Sequence, residues 1–590
     1  MVAEVTEAAP QNLAQAEASQ EFYVLENGYQ QVVFSTVGGA IAEINLPFES
    51  KEFPYSVVKK IQADKQVEHY SPENEYFPLF PYSRINKETG NVEKTSERTL
   101  GGYYPLLRRS IVGVGRDRSI QQIEPKFYSC NIVSSDPKTA DILYKVTKFT
   151  KNQIEFEGSD GYRRIIKTFS FPEDSKDSPY CIQLTVKIDG DARGLWMTSG
   201  IPEVELISDS FSPAVKYCYL KGKKMVVDQI SLPKTSTSFS SLEPEWVCNS
   251  NGFFGIIMDP LFDLQGGFTA FNIPGKEVPT RMSLIDPGYN LYPAEKYPGY
   301  EVQLPLKTPK TQKLDFRIIA GPFDDDILQR LDITYTNNDT GYNPNYVGSQ
   351  SYHGWFSFIS EPFADFLFML MKLFYKVTSS WGISIILLTI ALRIMLYPLN
   401  AWSIKSTLAM QKIAPQVTAI QEKYKKDPKK AQMEVIKLYQ EKKINPLTGC
   451  FPILIQMPFL IGMFDLLKSA FEIRGAVFIP GWITNLTAPD VLFSWNYPIF
   501  FFGTEFHALP ILLGGVMYLQ QRYSSSAPKD KNLLTDQQKQ QKMMGNIMTI
   551  VFTVMFYHFP SGLNIYWLSS MLLGILQQWI MNRKIKANAR

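Results

Sequence analysis

A single arginine in an apolar stretch is the side chain with the clearest chemical potential in this chain. Arg393 is the only charged residue of Trp381–Trp402, a stretch long enough to cross a bilayer. An arginine at mid-membrane depth costs about 2.5–3.5 kcal/mol and normally faces protein or water, paired with a carboxylate. The nearest candidate carboxylates, Asp465 and Glu505, lie toward the ends of other apolar stretches. This pattern favours a hydrated cavity open to an outside ligand, although the guanidinium could instead reach the lipid headgroups.

Uncharged polar residues in the apolar stretches add to this pattern. Thr389 lies one helical turn before Arg393, and Thr549 and Thr553 share one stripe of a later stretch. Gln456 contributes an amide in a third. Each of them, taken alone, is more often a helix–helix contact than a functional residue. Together they favour the hydrated cavity.

The elements that must position these residues follow a polar region of different character. Short runs rich in β-forming residues, beginning with a hairpin signal at Asn27-Gly28, predict a large all-β sandwich over 22–345. Residues 1–21 read as a flexible leader without the features of a signal peptide, so we expect a membrane span upstream if the sandwich is exported. With His69 as its one histidine and no motif pairing a nucleophile with a base, the sandwich does not suggest an enzyme.

Four cysteines lie in this polar region: Cys130, Cys181, Cys218 and Cys248. One or two disulfides among them are compatible with an exported domain, but the spacing alone does not establish any. No CxxC pair occurs anywhere in the chain. We therefore predict neither a metal site nor a cofactor.

A stretch with a polar stripe precedes the first long apolar run. On a helix over 356–378, Glu361, Asp365, Lys372 and Lys376 fall within about 60° of one another. A charged stripe on an otherwise apolar helix is typical of a helix that lies in the membrane interface.

Five apolar segments are predicted to span the membrane, and the charge of their connections orients them. The segments are 381–402, 446–471, 508–521, 544–559 and 563–581. The connection 403–445 carries ten lysines against four acidic residues, and both the connection 522–543 and the tail 582–590 are also basic. Because basic connections stay in the cytoplasm, the sandwich is predicted to be periplasmic and the C-terminus cytoplasmic.

The lysine-rich connection itself is predicted to be a helical hairpin, broken at Asp427-Pro428. Its charge could simply be a solvated face that sets the topology. It also suits anionic partners such as the ribosome or acidic lipids, and the residues proposed for that contact are Lys412, Lys423, Lys425, Lys426, Lys429 and Lys430.

Three stretches resemble the YidC membrane protein insertases of Gram-negative-type bacteria. They are ALRIMLYPLNAWSIKSTLAMQKIAPQV, KINPLTGCFPILIQMPFLIGMF and FPSGLNIYWLSSMLLGILQQWIM. The resemblance is strong over 355–583 and topological over 22–345. The chain departs from the family in lacking its first span and in carrying Trp567 where a tyrosine is expected.

The resemblance implies a monomeric, multi-pass insertase and membrane chaperone of the bacterial inner membrane, without catalytic chemistry or nucleotide hydrolysis. A nascent membrane protein would enter a hydrophilic groove that contains Arg393, with Thr389, Gln456, Thr549 and Thr553. The implied partners are nascent clients, the ribosome, the Sec translocon and anionic phospholipids.

We further predict a lipid-facing seam through which the apolar segment of a client leaves. Helical spacing puts its members on two faces, Phe459 and Met463 with Gln456 on one, and Tyr566, Trp567 and Ser570 on the other. The competing interpretation is that these faces pack permanently together as core.

Two other classes of protein fit parts of the sequence. A secondary transporter or channel for a small anion would use Arg393 as its binding site, but the chain shows no inverted repeat and no second intramembrane charge for coupling. A carbohydrate-sensing receptor would use the apolar segments as passive anchors, and such anchors need neither Arg393 nor a lysine-rich hairpin.

Overall fold

A computed structural model describes residues 20–86, 89–96, 99–113, 119–207, 210–306, 313–350, 357–442, 451–524 and 536–588. The chain divides near residue 351 into two compact units, which we call the β unit and the helical unit. The predicted leader up to residue 19, the start of the segment predicted from 446, and residues 525–535 of the second basic connection lie outside the described residues.

The β unit consists of short strands with two helices, α1 (Gln62–Tyr70) and α2 (Asp325–Tyr335). Its strands, in chain order, are β1 (Phe22–Glu26), β2 (Gln31–Ser35), β3 (Ala40–Pro47), β4 (Tyr76–Phe77), β5 (Tyr82–Ile85), β6 (Val92–Thr95), β7 (Thr99–Leu100), β8 (Tyr103–Pro105), β9 (Ile111–Val112), β10 (Ile120–Gln121), β11 (Ile132–Val133), β12 (Lys145–Thr150), β13 (Gln153–Ser159), β14 (Arg164–Ser170), β15 (Cys181–Asp189), β16 (Trp196–Thr198), β17 (Leu206–Ile207), β18 (Ser210–Phe211), β19 (Ala214–Lys221), β20 (Lys224–Gln229), β21 (Ser236–Ser238), β22 (Trp246–Ser250), β23 (Phe254–Pro260), β24 (Thr269–Ile273), β25 (Gly299–Pro305) and β26 (Lys313–Pro322).

Three larger sheets carry the β unit. A nine-stranded sheet has the order β12-β13-β14-β15-β26-β23-β22-β19-β20, a six-stranded sheet has β6-β5-β1-β2-β3-β8, and a five-stranded sheet has β11-β16-β25-β24-β21. Burial alternates along β13 and β14, as expected for strands with one face in a core. Phe34 of the six-stranded sheet meets Phe169 of the nine-stranded sheet with ring centroids 4.9 Å apart. The predicted all-β domain is therefore a layered sheet structure with an aromatic core.

The four cysteines of the β unit are free thiols, and all are buried. Burial raises the pKa of the Cys130 thiol to about 11 and that of the Cys248 thiol to about 12. Such thiols are inert packing groups. No disulfide joins any of the four.

The helical unit contains α3 (Ser357–Thr378), α4 (Trp381–Met395), α5 (Tyr397–Lys423), α6 (Pro428–Glu441), α7 (Phe451–Ser469), α8 (Leu509–Ser524), α9 (Asp536–Phe556) and α10 (Ser561–Asn588). Between α7 and α8 the chain forms a two-stranded hairpin, β27 (Phe493–Ile499) and β28 (Gly503–Phe506). Within the described residues, no helix combines the length and the hydropathy that crossing a membrane requires.

The segment predicted as one span over 381–402 is two helices. It breaks at Leu396, and α5 begins with Pro398 in its first turn. Proline is tolerated there because its missing N–H would have no partner, but in a helix interior it would remove a hydrogen bond and clash. The break was not predicted from the sequence, although Pro398 signals it, because the apolar run continues on both sides of this proline.

A shared apolar core joins α3, α4 and α7. It includes Leu367 and Met371 of α3, Leu388 of α4 and Met463 of α7, all fully buried. At Gly462 of α7 a Cβ atom would stand 3.0 Å from the Cβ of Phe363, so glycine permits the close approach of α3.

The opposite face of α3 combines charged and apolar side chains. Asp365 and Lys376 are exposed, as are Met369, Leu373 and Val377, which follow one another at four-residue intervals. A helix with one face on a protein core and its other face mixed in this way has the pattern predicted for a helix in the membrane interface.

Candidate functional site

A cavity in the helical unit surrounds the arginine that the sequence singled out. It is small and partly open to the outside, with a volume of about 10 Å³, which is room for about one water molecule. Its walls come from α4 and the turn after it, from α7 and from α10. The lining residues are Thr389, Leu392, Arg393, Leu396, Gln456, Phe459, Tyr566 and Ser570.

Arg393 reaches across this cavity to α10. Its Nη2 donates to the backbone carbonyl of Ser570 and, at 3.0 Å, to the Ser570 hydroxyl. Its Nε is buried without a hydrogen-bond partner. Among the described residues, no carboxylate lies within ion-pair distance of the guanidinium. The cation is therefore held by neutral oxygens from one residue and keeps donor capacity for a ligand.

The approach of this guanidinium to α10 depends on a glycine. A Cβ atom at Gly574 would stand 3.0 Å from Nη2 of Arg393 and 3.5 Å from its Cζ. Contacts near 3.0 Å require the neighbour to move, so any larger residue would press on the guanidinium. Gly574 was not among the predicted site residues, although it follows Ser570 by one helical turn on the same face.

Residues from two separately predicted sets meet in this cavity. Thr389, Arg393 and Gln456 were assigned to a groove, whereas Phe459, Tyr566 and Ser570 were assigned to an exit seam; all six line one space. The Thr389 hydroxyl donates to the carbonyl of Ile385 at 2.8 Å, so its own hydrogen-bonding need is met inside α4.

Two predicted groove residues do not reach this cavity. The hydroxyl of Thr549 donates to the carbonyl of Gly545, and that of Thr553 donates to the carbonyl of Thr549. Thr553 also lies where a Cβ atom at Gly514 of α8 would be. Thr553 therefore takes part in the contact between α8 and α9, whereas the Thr549 hydroxyl is satisfied within α9.

The two remaining seam residues are packed inside the unit. Met463 is fully buried in the core. The Trp567 ring lies 5.6 Å from that of Phe556, and its indole N–H is buried without a partner. Met463 lies in the apolar core and is not among the residues that line the cavity. Leu392 and Leu396 line the cavity instead, and their spacing from Thr389 and Arg393 would have identified them.

Five of the six lysines proposed for anionic partners lie around the turn of the hairpin formed by α5 and α6, and Lys412 lies eleven residues before Lys423, inside α5. Each of the six side chains is exposed. The turn itself is ordered by Asp427, whose carboxylate accepts from the backbone N–H of Lys430 at 3.1 Å and so caps α6. The ring of Tyr424 lies between Lys423 and Lys430, 5.5 Å and 5.4 Å from their ammonium groups. Five of the six charges are thus concentrated at one tip.

Large apolar side chains cover much of the outside of the helical unit. On α9 alone, Ile547, Ile550, Val551, Val554 and Met555 are each at least two-fifths exposed. Contiguous exposed apolar surface of this kind marks contact with lipid or with another protein.

The chain is similar to several known proteins. The family model of the 60Kd inner membrane protein matches residues 373–588. The membrane protein insertase YidC of Chlamydia caviae is 49% identical over 570 residues, which cover 96% of this chain and 69% of that protein. That of Chlamydia trachomatis is 47% identical over 572 residues, covering 96% and 70%. The crystal structure of YidC from Thermotoga maritima covers 94% of this chain and 99% of that chain, at 11% identity and a TM-score of 0.27, which is too low to support an argument.

These matches define a class of bacterial inner membrane proteins with a large β-rich unit followed by a helical C-terminal unit. The chain belongs to the YidC family of membrane protein insertases. The family resemblance predicted from the three sequence stretches is confirmed.

Proposed function

We propose that the cavity beside Arg393 receives the polar part of a nascent membrane protein, and that the apolar part then leaves sideways into lipid without nucleotide hydrolysis. The observation that carries this proposal is the bonding of Arg393. A partly buried guanidinium that, among the described residues, donates only to Ser570 has donors left for the carbonyl groups or carboxylates of a client.

The energetics favour such a site. Moving an unpaired polar backbone group into hydrocarbon costs several kcal/mol, and a cavity that supplies donors lowers that cost along part of the path. The driving force would come from burial of the client's apolar segment in lipid and from the membrane potential, which contributes about 2.3 kcal/mol per charge for each 100 mV.

We assign the exit to the side of the cavity between α7 and α10. Phe459 and Tyr566 supply apolar and aromatic surface there, while Gln456 and Ser570 supply hydrogen-bonding groups. This revises the seam predicted from sequence, since Met463 is buried and Trp567 packs on Phe556.

We place α4, α7, α8, α9 and α10 in the inner membrane, with α3 in its interface. The exposed apolar side chains of α9 support this placement, and the exposed lysines at the tip of the α5–α6 hairpin support a cytoplasmic position for that tip. The β unit is then periplasmic and the C-terminus cytoplasmic. Ribosomes and anionic phospholipids are the partners proposed for the lysine tip, and the Sec translocon for delivery of clients to a monomeric insertase.

Site-specific photo-crosslinking tests this function. A photo-reactive residue at position 456 or 459, in the cavity wall, should label a stalled nascent client during synthesis. The matched controls are Ile511 on α8 and Leu572 on α10, which are 45% and 50% exposed and lie outside the cavity lining; probes there should label mainly lipid. Equal labelling of the client from all four positions would contradict a localised client site.

A further inference from the structure

An aromatic hairpin between α7 and α8 has no role in the function described above. It comprises β27, β28 and the turn that joins them, residues 493–506. The turn is formed by three consecutive phenylalanines, Phe500, Phe501 and Phe502, and no charged residue occurs between 491 and 504. Phe500 is 97% exposed, and Tyr497 is 60% exposed. An apolar, uncharged, outward-pointing tip is an unusual feature for a surface bathed in water.

Contacts between the two strands stabilise the hairpin behind this tip. The rings of Phe493 and Phe506 stack across the two strands with centroids 4.8 Å apart. The indole N–H of Trp495 donates to the carbonyl of Gly503 at 2.9 Å. Phe501 has a φ of 71°, a conformation that glycine adopts easily and a bulky side chain does not. Backbone strain of this type persists only where its surroundings enforce it.

Contacts with the end of α9 hold the tip in place. The ring of Phe501 lies 5.3 Å from those of Tyr557 and His558, and the ring of Phe502 lies 5.2 Å from that of Tyr557. Nε2 of His558 is 2.9 Å from the carbonyl oxygen of Phe501. These contacts occupy Phe501 and Phe502 and leave Phe500 pointing away from the unit.

The residues next to the tip indicate the environment of the Phe500 side chain. Val554 and Met555 are the last exposed apolar side chains of α9, and only the buried Phe556 separates them in sequence from the residues on which the tip is packed. The exposed apolar face of α9 therefore ends close in sequence to the residues that contact the hairpin. Tyrosine and tryptophan favour the boundary between headgroups and acyl chains, whereas an exposed phenylalanine favours the acyl side of that boundary.

We propose that the aromatic hairpin is a membrane anchor, and that Phe500 inserts among the acyl chains of the outer leaflet. The inference rests on the membrane placement given under the proposed function. The anchor fixes the α9–α10 turn relative to the bilayer surface and so sets the depth of the helices that line the Arg393 cavity.

Depth-dependent fluorescence quenching tests this inference with the full chain reconstituted in phosphatidylcholine vesicles. An environment-sensitive fluorescent amino acid is encoded at one position at a time: 500, 162 or 550. Tyr162 is the matched control, an aromatic residue of the β unit that is 93% exposed, and Ile550 of α9, 64% exposed, is the lipid-facing reference.

The probe at 500 should emit at shorter wavelength than the probe at 162. It should also lose intensity when the lipids carry bromine on their acyl chains, as the probe at 550 does. Only the probe at 162 should be quenched by aqueous iodide. A probe at 500 that behaves like the one at 162 overturns the inference, and so does one protected from both quenchers, which would indicate that protein covers the tip.

The two proposals fail in distinguishable ways. Absence of bromolipid quenching at 550 would overturn the membrane placement of α9. Quenching at 550 without quenching at 500 would overturn only the anchor.

Discussion

The β unit surrounds its buried arginines with several oxygen ligands, whereas the helical unit leaves Arg393 with the oxygens of one serine. In the β unit, Arg109 pairs with Glu43 at 3.0 Å and Arg281 pairs with Asp64 at 2.7 Å. Arg108 has no carboxylate contact, but donates to the backbone carbonyls of Val278, Tyr297 and Pro298 at 2.8–3.0 Å.

This difference separates two uses of the same side chain. An arginine held by buried carboxylates or by several backbone carbonyls stabilises one structure, and removing it leaves those partners uncompensated. An arginine bonded to one residue adds little to the fold and can be shared with a ligand. The comparison therefore assigns structural roles to the β-unit arginines and a binding role to Arg393.

The largest expected effect follows removal of a β-unit arginine. Arg109→Ala leaves the Glu43 carboxylate buried without its cation, and breaking a buried pair in this way costs about 3–5 kcal/mol. Urea unfolding of the detergent-solubilised full chain, followed by hydrogen exchange in β3 and β8, measures the loss. The control is Arg193→Ala, which breaks the exposed pair with Asp191 and should leave the unfolding free energy unchanged. Equal effects of the two substitutions would contradict a structural role for the buried pair.

The next effect concerns an ionisable group of the β unit that forms no ion pair with any residue that the structure describes. Burial raises the pKa of the Glu301 carboxyl to about 8. The folded state therefore keeps a proton that the unfolded state releases near pH 4.5. The contribution of this proton to the free energy of unfolding is complete below pH 4.5 and is lost as the pH rises to about 8. The slope is about 1.4 kcal/mol per pH unit.

Glu301→Gln tests this loss, because glutamine has the same shape and no charge. The difference in unfolding free energy between the variant and the wild type should grow in favour of the variant from pH 5 to pH 8, as measured by urea unfolding. A difference that does not change with pH would show that Glu301 remains ionised. Arg393 cannot become neutral in this way, because a guanidinium does not lose its proton in proteins.

A smaller effect on stability, but a large one on function, is expected at Arg393. Arg393→Ala should change the stability of the helical unit by about 1 kcal/mol, the net value of its hydrogen bonds, while it impairs insertion of clients with acidic outer segments. Arg393→Lys should retain substantial insertion, because a positive potential needs no planar fork. Protease protection of a radiolabelled client measures both. If lysine fails as fully as alanine at normal protein levels, Arg393 has a specific partner and the binding role is wrong.

The smallest effect should come from moving the guanidinium without removing it. Gly574→Ala places a methyl group 3.0 Å from Nη2 of Arg393 and should lower insertion partially, by less than Arg393→Ala. Gly515→Ala on α8 is the control, because a Cβ atom there meets nothing within 4 Å. The same insertion assay compares the two variants. Equal insertion by both would mean that the position of the guanidinium does not matter.

Several features of this protein were evident in the sequence. Composition and the period of the apolar residues together separate a β-rich region from an apolar helical region, because strands and helices bury side chains with different periods. The absence of a nearby carboxylate for Arg393 was also readable, since acidic residues inside apolar segments are few and conspicuous. The three family stretches were sufficient to recognise an insertase.

The tertiary structure decided which helix faces meet. Helical spacing placed Thr549 and Thr553 on one stripe, but only packing showed that the stripe faces α8 at Gly514 rather than Arg393. Packing likewise buried Met463 against α3 and brought Gln456 and Ser570 to the same cavity. Periodicity determines which residues share a face of a helix, whereas the partner of that face depends on contacts between residues distant in the chain. For that reason Arg393 and its lack of a nearby carboxylate could be predicted from the sequence. The contacts of Arg393 with Ser570 and Gly574, and the cavity around it, depend on the fold.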